Sequence, residues 1–452
     1  MQVFRRSGVR VFGFAQVAVR GLPHFRTSIL LLAIFICLSE PVRANLLAGA
    51  ARVSITPDPK EFSYPLGGYV TPERLTKKAS GIHDTCYARA LVLSDGTVKL
   101  AVVSVELCFL PANVKDAVAS RITATAIPAS GMFLSATHTH SAMDPLVLHS
   151  GNTGHQSALP LFDPKLLDWI ADRIAQSITE ANSRLKPGRV GSGQADQIGL
   201  NRNRRGENVT DDQMTAVKVL DSDGKAIAAV FNYAAHPVYY GDKMLEVSGD
   251  WSGSFQRVME ARIPGAVCLF LNGAEGDASP HGSDAGTPAE KIEIYAAKLS
   301  DKAKALYDSV ASESMPTLRG WAQTVELPVV TPHPFFLLAS AQLKATREQA
   351  MELVNRMMPR KCEVTFLRIG ELVLAGLPGE PTAPIGLAVK ASLRDSGLAR
   401  AAVVALTNGW LGYIVTVDQY KAGKYEPTMS FYGPTIGEVM LEGVKSGIRG
   451  MK

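Results

Sequence analysis

Cysteine is scarce in this 452-residue chain: five residues in all, none in C-x-x-C spacing. That spacing excludes a zinc knot built on paired thiolates. Cys37 falls in the N-terminal leader. Cys86, Cys108, Cys268 and Cys362 lie far apart in apolar runs. In an oxidising compartment these four admit three disulfide pairings, and burial as free thiols suits their surroundings as well. Long apolar runs are lacking too. The leader's run, Ile29 to Leu38, is about half of the roughly 20 residues a bilayer span needs. Repeats and low-complexity tracts are absent. Hydrophobic residues at 46% and charged residues at 20% exclude a disordered chain. Basic surplus is missing where it would matter. The formal net charge is +5, but Arg5, Arg6, Arg10, Arg20, Arg26 and Arg43 stand against Glu40 alone in residues 1–44. The remainder balances to neutrality, which leaves no basic surface for nucleic acid.

The leader itself reads as a secretory signal over residues 1–44. Arginines precede a short apolar core, and Val42-Arg43-Ala44 supplies small residues at cleavage spacing. The expectation is export, secreted or periplasmic, with a mature chain from Asn45.

What is present is a strand-rich first half followed by longer helices. Apolar strands are expected near 48–55, 86–94 and 99–107, the last two joined by Asp95-Gly96, a hairpin signal. A helix follows from Pro111, then an apolar run into residue 138. Asp163-Pro164 opens an amphipathic helix to about Leu185. Strands at 215–220 and 226–234 flank a second hairpin at Asp223-Gly224. Further helices are expected at 250–262, 288–310, 336–357 and 382–395, with strands at 266–271, 317–328, 362–377 and 401–406. The fold class expected is α/β: mixed, largely antiparallel sheets flanked by helices in a single large domain over 45–452, not a doubly wound parallel sheet.

The chemistry gathers at strand ends. Ser135-Ala136-Thr137-His138-Thr139-His140-Ser141 follows an apolar run. If the strand continues, His138 and His140 share one face. Two adjacent imidazoles suit one metal ion, or a ligand beside a proton-transfer group. An isolated HxH is equally well a pair of satisfied histidines at a strand end. The same arrangement recurs at His236, Ser279, Glu380 and Tyr413, each in a Gly/Pro-punctuated turn after an apolar strand. Rigid strand ends feeding loops are where scaffolds place reactive groups. Two histidines and a carboxylate with an open position match catalytic zinc. The long loop at 141–163, with His149 and His155, reads as a lid. Trp410 and Met143–Leu148 fit either an acyl channel or packing. His149, His155, His281 and His333 read as loop or surface residues.

In order along the chain stand Gly67-Gly68-Tyr69, Tyr87-Ala88-Arg89-Ala90, Thr137-His138-Thr139-His140-Ser141, Leu200-Asn201-Arg202, Ala235-His236-Pro237 and Ser248-Gly249-Asp250. They continue with Gly276-Asp277-Ala278-Ser279-Pro280, Pro378-Gly379-Glu380, Gly412-Tyr413-Ile414-Val415-Thr416, Tyr425-Glu426 and Phe431-Tyr432-Gly433-Pro434. With this ordered set the chain resembles the catalytic domain of the neutral/alkaline, non-lysosomal ceramidases, zinc-dependent amidases of the N-acyl bond of ceramide. The resemblance implies His138, His236, Glu380 and Tyr413 as zinc ligands, with His140 beside the metal for proton transfer or oxyanion contact. It implies Arg202 as a polar site residue and Ser279 as the essential serine, either nucleophile or positioning group for water. It further implies a lipid-like N-acyl substrate met at a membrane surface, with no nucleic-acid partner. Oligomeric state does not follow from it. The chain departs from the family at Ala142-Met143-Asp144-Pro145, at Asn203-Arg204-Arg205 and at Glu106, and the family's C-terminal immunoglobulin-like domain is not expected. The alternatives are a zinc hydrolase of another amide or ester, and an inactive binding protein on the same scaffold.

Overall fold

A computed structural model describes residues 45–153, 159–340 and 345–450. The leader, its expected cleavage point and His155 lie outside the described residues. Two sheets carry the fold. The larger has eight strands. From one edge these are Val267–Asn272, Ala226–Tyr233, Met214–Asp221, Lys186–Ala195, Leu47–Ser54, Tyr87–Ser94, Lys99–Val105 and Met132–Ala136. Its interior pairs are antiparallel, and only the two outermost pairs are parallel. The smaller sheet orders Leu318–Glu326, Lys361–Ile369, Leu372–Gly376 and Arg400–Val404, with only the last pair parallel. The mixed, largely antiparallel class expected from the sequence is what forms.

Side-chain alternation explains the layering. Leu91 and Leu93 point to one face of the large sheet, Ala90 and Val92 to the other. The face with Leu91, Leu93, Val102, Phe133, Val217 and Leu269 meets Leu367, Leu372, Leu374 and Val404 of the small sheet. The other face is covered by helices. Pro164–Ser183 buries Leu166, Ile170, Ile174 and Ile178 there, at the 3.6-residue spacing that places them on one stripe. Asp250–Arg262 and Pro288–Ser309 cover the far half. Ala383–Asp395 and Ile436–Arg449 cover the outer face of the small sheet. The result is four layers, helix–sheet–sheet–helix. Each fully buried Leu or Phe at the sheet–sheet seam contributes about 1.5–3 kcal/mol.

Both expected hairpins form, with Gly96 and Gly224 at φ +85° and +82°. Three expectations differ. The helix expected at 336–357 is two pieces, Pro334–Ala339 and Arg347–Met357, the second opened by a Thr346–Gln349 capping box. The Ser/Thr-x-x-Gln signal is legible in hindsight. The Lys186–Ala195 strand was not foreseen; its glycine-rich sequence weakens the β pattern. The 141–163 loop is not an open flap in its first part, since Ala142, Met143, Val147 and Leu148 are buried in the core. The packing reading of Met143–Leu148 therefore holds. The four cysteines are free thiols, Cys86, Cys108 and Cys268 fully buried.

Candidate functional site

Three strand ends from the two sheets converge. Met132–Ala136 runs into His138, Ala226–Tyr233 into His236, and Leu372–Gly376 into Glu380. A short parallel bridge pairs Glu380 with Tyr413, fixing the tyrosine beside the carboxylate. Asn272, at the end of a fourth strand, ties the loops together. Its Nδ2 donates to the carbonyls of Thr137 and Ala235, at 3.1 and 3.0 Å, so the residues just before both histidines share one anchor.

The strand does not reach His138, and this corrects the alternation argument. It ends at Ala136, and His138 has φ +73°, a left-handed conformation uncommon for a residue with a Cβ. The two rings meet because the chain turns, not because it stays extended. Their centroids lie 4.7 Å apart and their planes are nearly perpendicular. Gly68, at φ +89°, makes room: a Cβ there would fall 2.3 Å from the His140 ring.

Hydrogen bonds set the tautomers. His138 Nδ1 sits 2.7 Å from the Cys108 carbonyl and His236 Nδ1 sits 3.1 Å from the Ala278 carbonyl. Only a protonated Nδ1 can donate to a carbonyl, so each Nε2 presents its lone pair to the centre. His138 Nε2 lies 3.3 Å and His236 Nε2 3.8 Å from Glu380 Oε2. Glu380 Oε1 accepts from Trp410 Nε1 at 3.0 Å. The buried Oε2 has no donor of its own. Tyr413 Oη lies 3.2 Å from His236 Nε2 and accepts from Arg204 Nη2 at 2.9 Å. One ligand atom from each of His138, His236 and Glu380 lies within 4.8 Å of the others.

Burial dominates the electrostatics. It pushes His140 and His236 well below the usual imidazole value, assisted by neighbouring histidines and Arg204, so both rings are neutral bases. Burial pushes the Tyr413 phenol up, against the opposing pull of Arg204. For Glu380 burial acts upward, but His138, Trp410 and Tyr413 outweigh it and hold the carboxyl below its ordinary range. Two imidazoles, a carboxylate and a phenol around an orphaned buried oxygen form a donor set suited to zinc.

Of the remaining expected residues, His140 Nε2 lies 3.3 Å from His138 Nε2, at the edge of this centre. Ser279 is half-buried and follows Ala278, whose carbonyl holds both the ring and the backbone N–H of His236. Arg202 pairs in register with Ser279 across a short antiparallel ladder, but its side chain is exposed. The arginine that reaches the centre is Arg204. It also donates to Gly276 O and to Glu426 Oε1, each at 2.8 Å. Sequence reasoning passed over Arg204 because the ladder ends at Asn203 and the chain turns there. His149 Nε2 donates to the Met357 carbonyl, as a loop residue would. His281 and His333 lie away from the cluster as well. Glu275 was also missed. It is fully buried, neither side-chain oxygen has a partner, and burial with Glu380 nearby pushes its carboxyl well up. Gly276 beside it packs on the Glu380 carbonyl, where a Cβ would stand 2.7 Å away. The turn carrying Ser279 is thus pinned to the strand end carrying Glu380.

The family model of the neutral/alkaline non-lysosomal ceramidase N-terminal region matches residues 46–305 and 343–441. The neutral ceramidase of Pseudomonas aeruginosa is 24% identical over 500 residues, covering 90% of this chain and 73% of its own length. That of Drosophila melanogaster is 21% identical over 526 residues, covering 89% and 74%. The crystal structure of the Pseudomonas aeruginosa neutral ceramidase superposes with a TM-score of 0.74 at 20% identity, over 90% of this chain and 75% of that one.

Proposed function

The chain belongs to the neutral/alkaline non-lysosomal ceramidase family, and from that premise we propose a zinc-dependent amidohydrolase that cleaves the N-acyl bond of ceramide or a related N-acyl lipid. It is an enzyme, a hydrolase of an amide bond. The observation that carries the zinc assignment is the convergence of His138, His236 and Glu380, with Glu380 Oε2 buried and without a hydrogen-bond partner among the described residues. In this reading those three and Tyr413 hold the metal. Zinc there supplies a Lewis acid for the amide carbonyl.

The protein's own groups do the rest. Cys108 and Ala278 carbonyls fix the two imidazoles. Trp410 fixes one carboxylate oxygen, leaving the other free for the metal. Neutral His140 accepts a proton at the edge of the centre and returns it to the departing amine. Ser279 supplies the hydroxyl on which turnover depends, by attack or by orienting water. Arg204 places a fixed positive charge against the tyrosine oxygen, where negative charge develops on the substrate. Phe335 and Leu338 stand exposed on the Pro334–Ala339 helix, which supports transient contact with a lipid surface. Export belongs to the same reading, with cleavage after Ala44.

The experiment is metal analysis of purified enzyme together with fatty-acid release from an N-acyl sphingosine. One zinc per chain and chelator-sensitive turnover are expected. A metal-free preparation with full turnover would overturn the zinc assignment, and a zinc-replete enzyme that releases nothing would overturn the substrate. N-terminal sequencing of exported protein should start at Asn45; another start refutes the cleavage site.

A further inference from the structure

Contacts from the centre run two ways. From Glu380 they lead into aromatic rings. Trp410, bonded to Glu380, stacks on Phe109 with centroids 4.3 Å apart and meets Phe431 edge-on at 5.8 Å. From Tyr413 they lead into cations. Arg204 touches the tyrosine oxygen, and its guanidinium carbon lies 5.4 Å from the Tyr425 ring. Arg204, Arg205, Lys424, Tyr425 and Glu426 line a cavity of about 320 Å³ that opens to solvent.

The charges in this cavity are unequal. Glu426 is buried and already shared: it accepts from Arg204 Nε at 2.8 Å and from Arg205 Nη1 at 2.5 Å. Arg205 spends its other donors on Glu207 and on the carbonyls of Gly423 and Gln419. Among the described residues Arg204 Nη1 has no partner, on a side chain 23% exposed. Lys424 gives one hydrogen to the Arg205 carbonyl and retains two. Its backbone is at φ +73°, ψ −159°, a region almost reserved for glycine. The fold holds a lysine at the rim at that cost. Three cations thus face two carboxylates that are already paired, beside a centre flanked by rings.

We propose that this cavity binds an anionic group, a phosphate or a carboxylate, carried on the amine side of the N-acyl substrate. Arg204 Nη1 and Lys424 Nζ are the donors. The assignment rests on the amidase reading for the position of the scissile bond. It adds a charge preference that a neutral headgroup does not exploit. A charge-assisted hydrogen bond in a partly enclosed site is stronger than its neutral counterpart, so the anion should be read as affinity.

The test uses the full mature enzyme and three amides with one acyl chain below their aggregation limits: N-lauroylethanolamine, N-lauroylglycine and N-lauroylphosphoethanolamine. Dissociation constants come from calorimetry, and turnover from laurate release. At least one anionic amide should bind about tenfold tighter than the neutral one, and the advantage should shrink as salt rises. Which anion leads identifies phosphate or carboxylate as the ligand. Lys424→Gln should remove most of the advantage, Lys424→Glu should invert it, and Lys424→Arg should keep it, each with the melting temperature checked. Equal affinity for all three amides overturns the proposal. So does an anionic preference indifferent to Lys424→Gln and Lys424→Glu. Anionic preference without laurate release from any amide would leave the cavity standing and sink the amidase reading instead.

Discussion

Glu380→Gln separates a metal ligand from a structural carboxylate. Gln is nearly isosteric and retains an oxygen for the Trp410 N–H, so the aromatic contact survives. It removes the charge and places an amide where Glu380 Oε2 now faces His138 and His236. Without metal, the substitution alters stability by an amount set by Tyr413 and the histidines, on the order of 1–3 kcal/mol in either direction. That uncertainty cancels in the difference between zinc-loaded and chelated protein. At free zinc 100 times the dissociation constant, wild type gains about 2.7 kcal/mol from binding. Loss of a charged ligand weakens affinity at least as much as loss of the groups that orient one, about 100-fold. The same zinc concentration then gives the variant only about 0.4 kcal/mol. The assay is thermal or urea unfolding of both proteins, with chelator and with buffered zinc. A zinc-induced shift in Glu380→Gln equal to that of wild type would refute Glu380 as a ligand, and with it the reading of its orphaned oxygen.

Other outcomes follow from the same geometry. His138→Ala should lose zinc, while His140→Ala should keep one zinc per chain and lose turnover by about 10²–10⁴-fold; metal analysis showing the reverse would exchange the two roles. Ser279→Ala should retain zinc and melting temperature with turnover cut by orders of magnitude, and near-normal fatty-acid release by a metal-replete variant would remove Ser279 from the chemistry. Asp144 is buried, and its carboxyl is pushed up to about 6. The folded state therefore holds that proton more tightly than the unfolded chain, so stability from this group is present below about pH 4 and is lost as pH rises to about 6. Asp144→Asn should flatten that loss by up to about 3 kcal/mol, read as the change in melting temperature between acid and neutral pH; an unchanged slope refutes the burial argument.

Why some of this was legible and some was not has a physical basis. Hairpins at Asp95-Gly96 and Asp223-Gly224 are written in two residues, because only a left-handed turn closes them and glycine accepts it. The helix at Pro164–Ser183 is written in its apolar stripe. Ligand candidates were legible because each ends an apolar run at a Gly/Pro turn, a local pattern. What the sequence could not convey is which turned loops face each other. An extended chain would pair His138 and His140 on one face; the structure pairs them through a left-handed His138, with room for the His140 ring left by Gly68, some seventy residues earlier. The family resemblance points to Arg202, yet the ladder stops at Asn203, and the turn after it brings the Arg204 guanidinium to Tyr413. Asn272 carried no chemical signature, although its amide fixes the chain entering both histidines. Residues that react leave a pattern in their own segment. Residues that position them act across segments, and only the folded chain shows the partner.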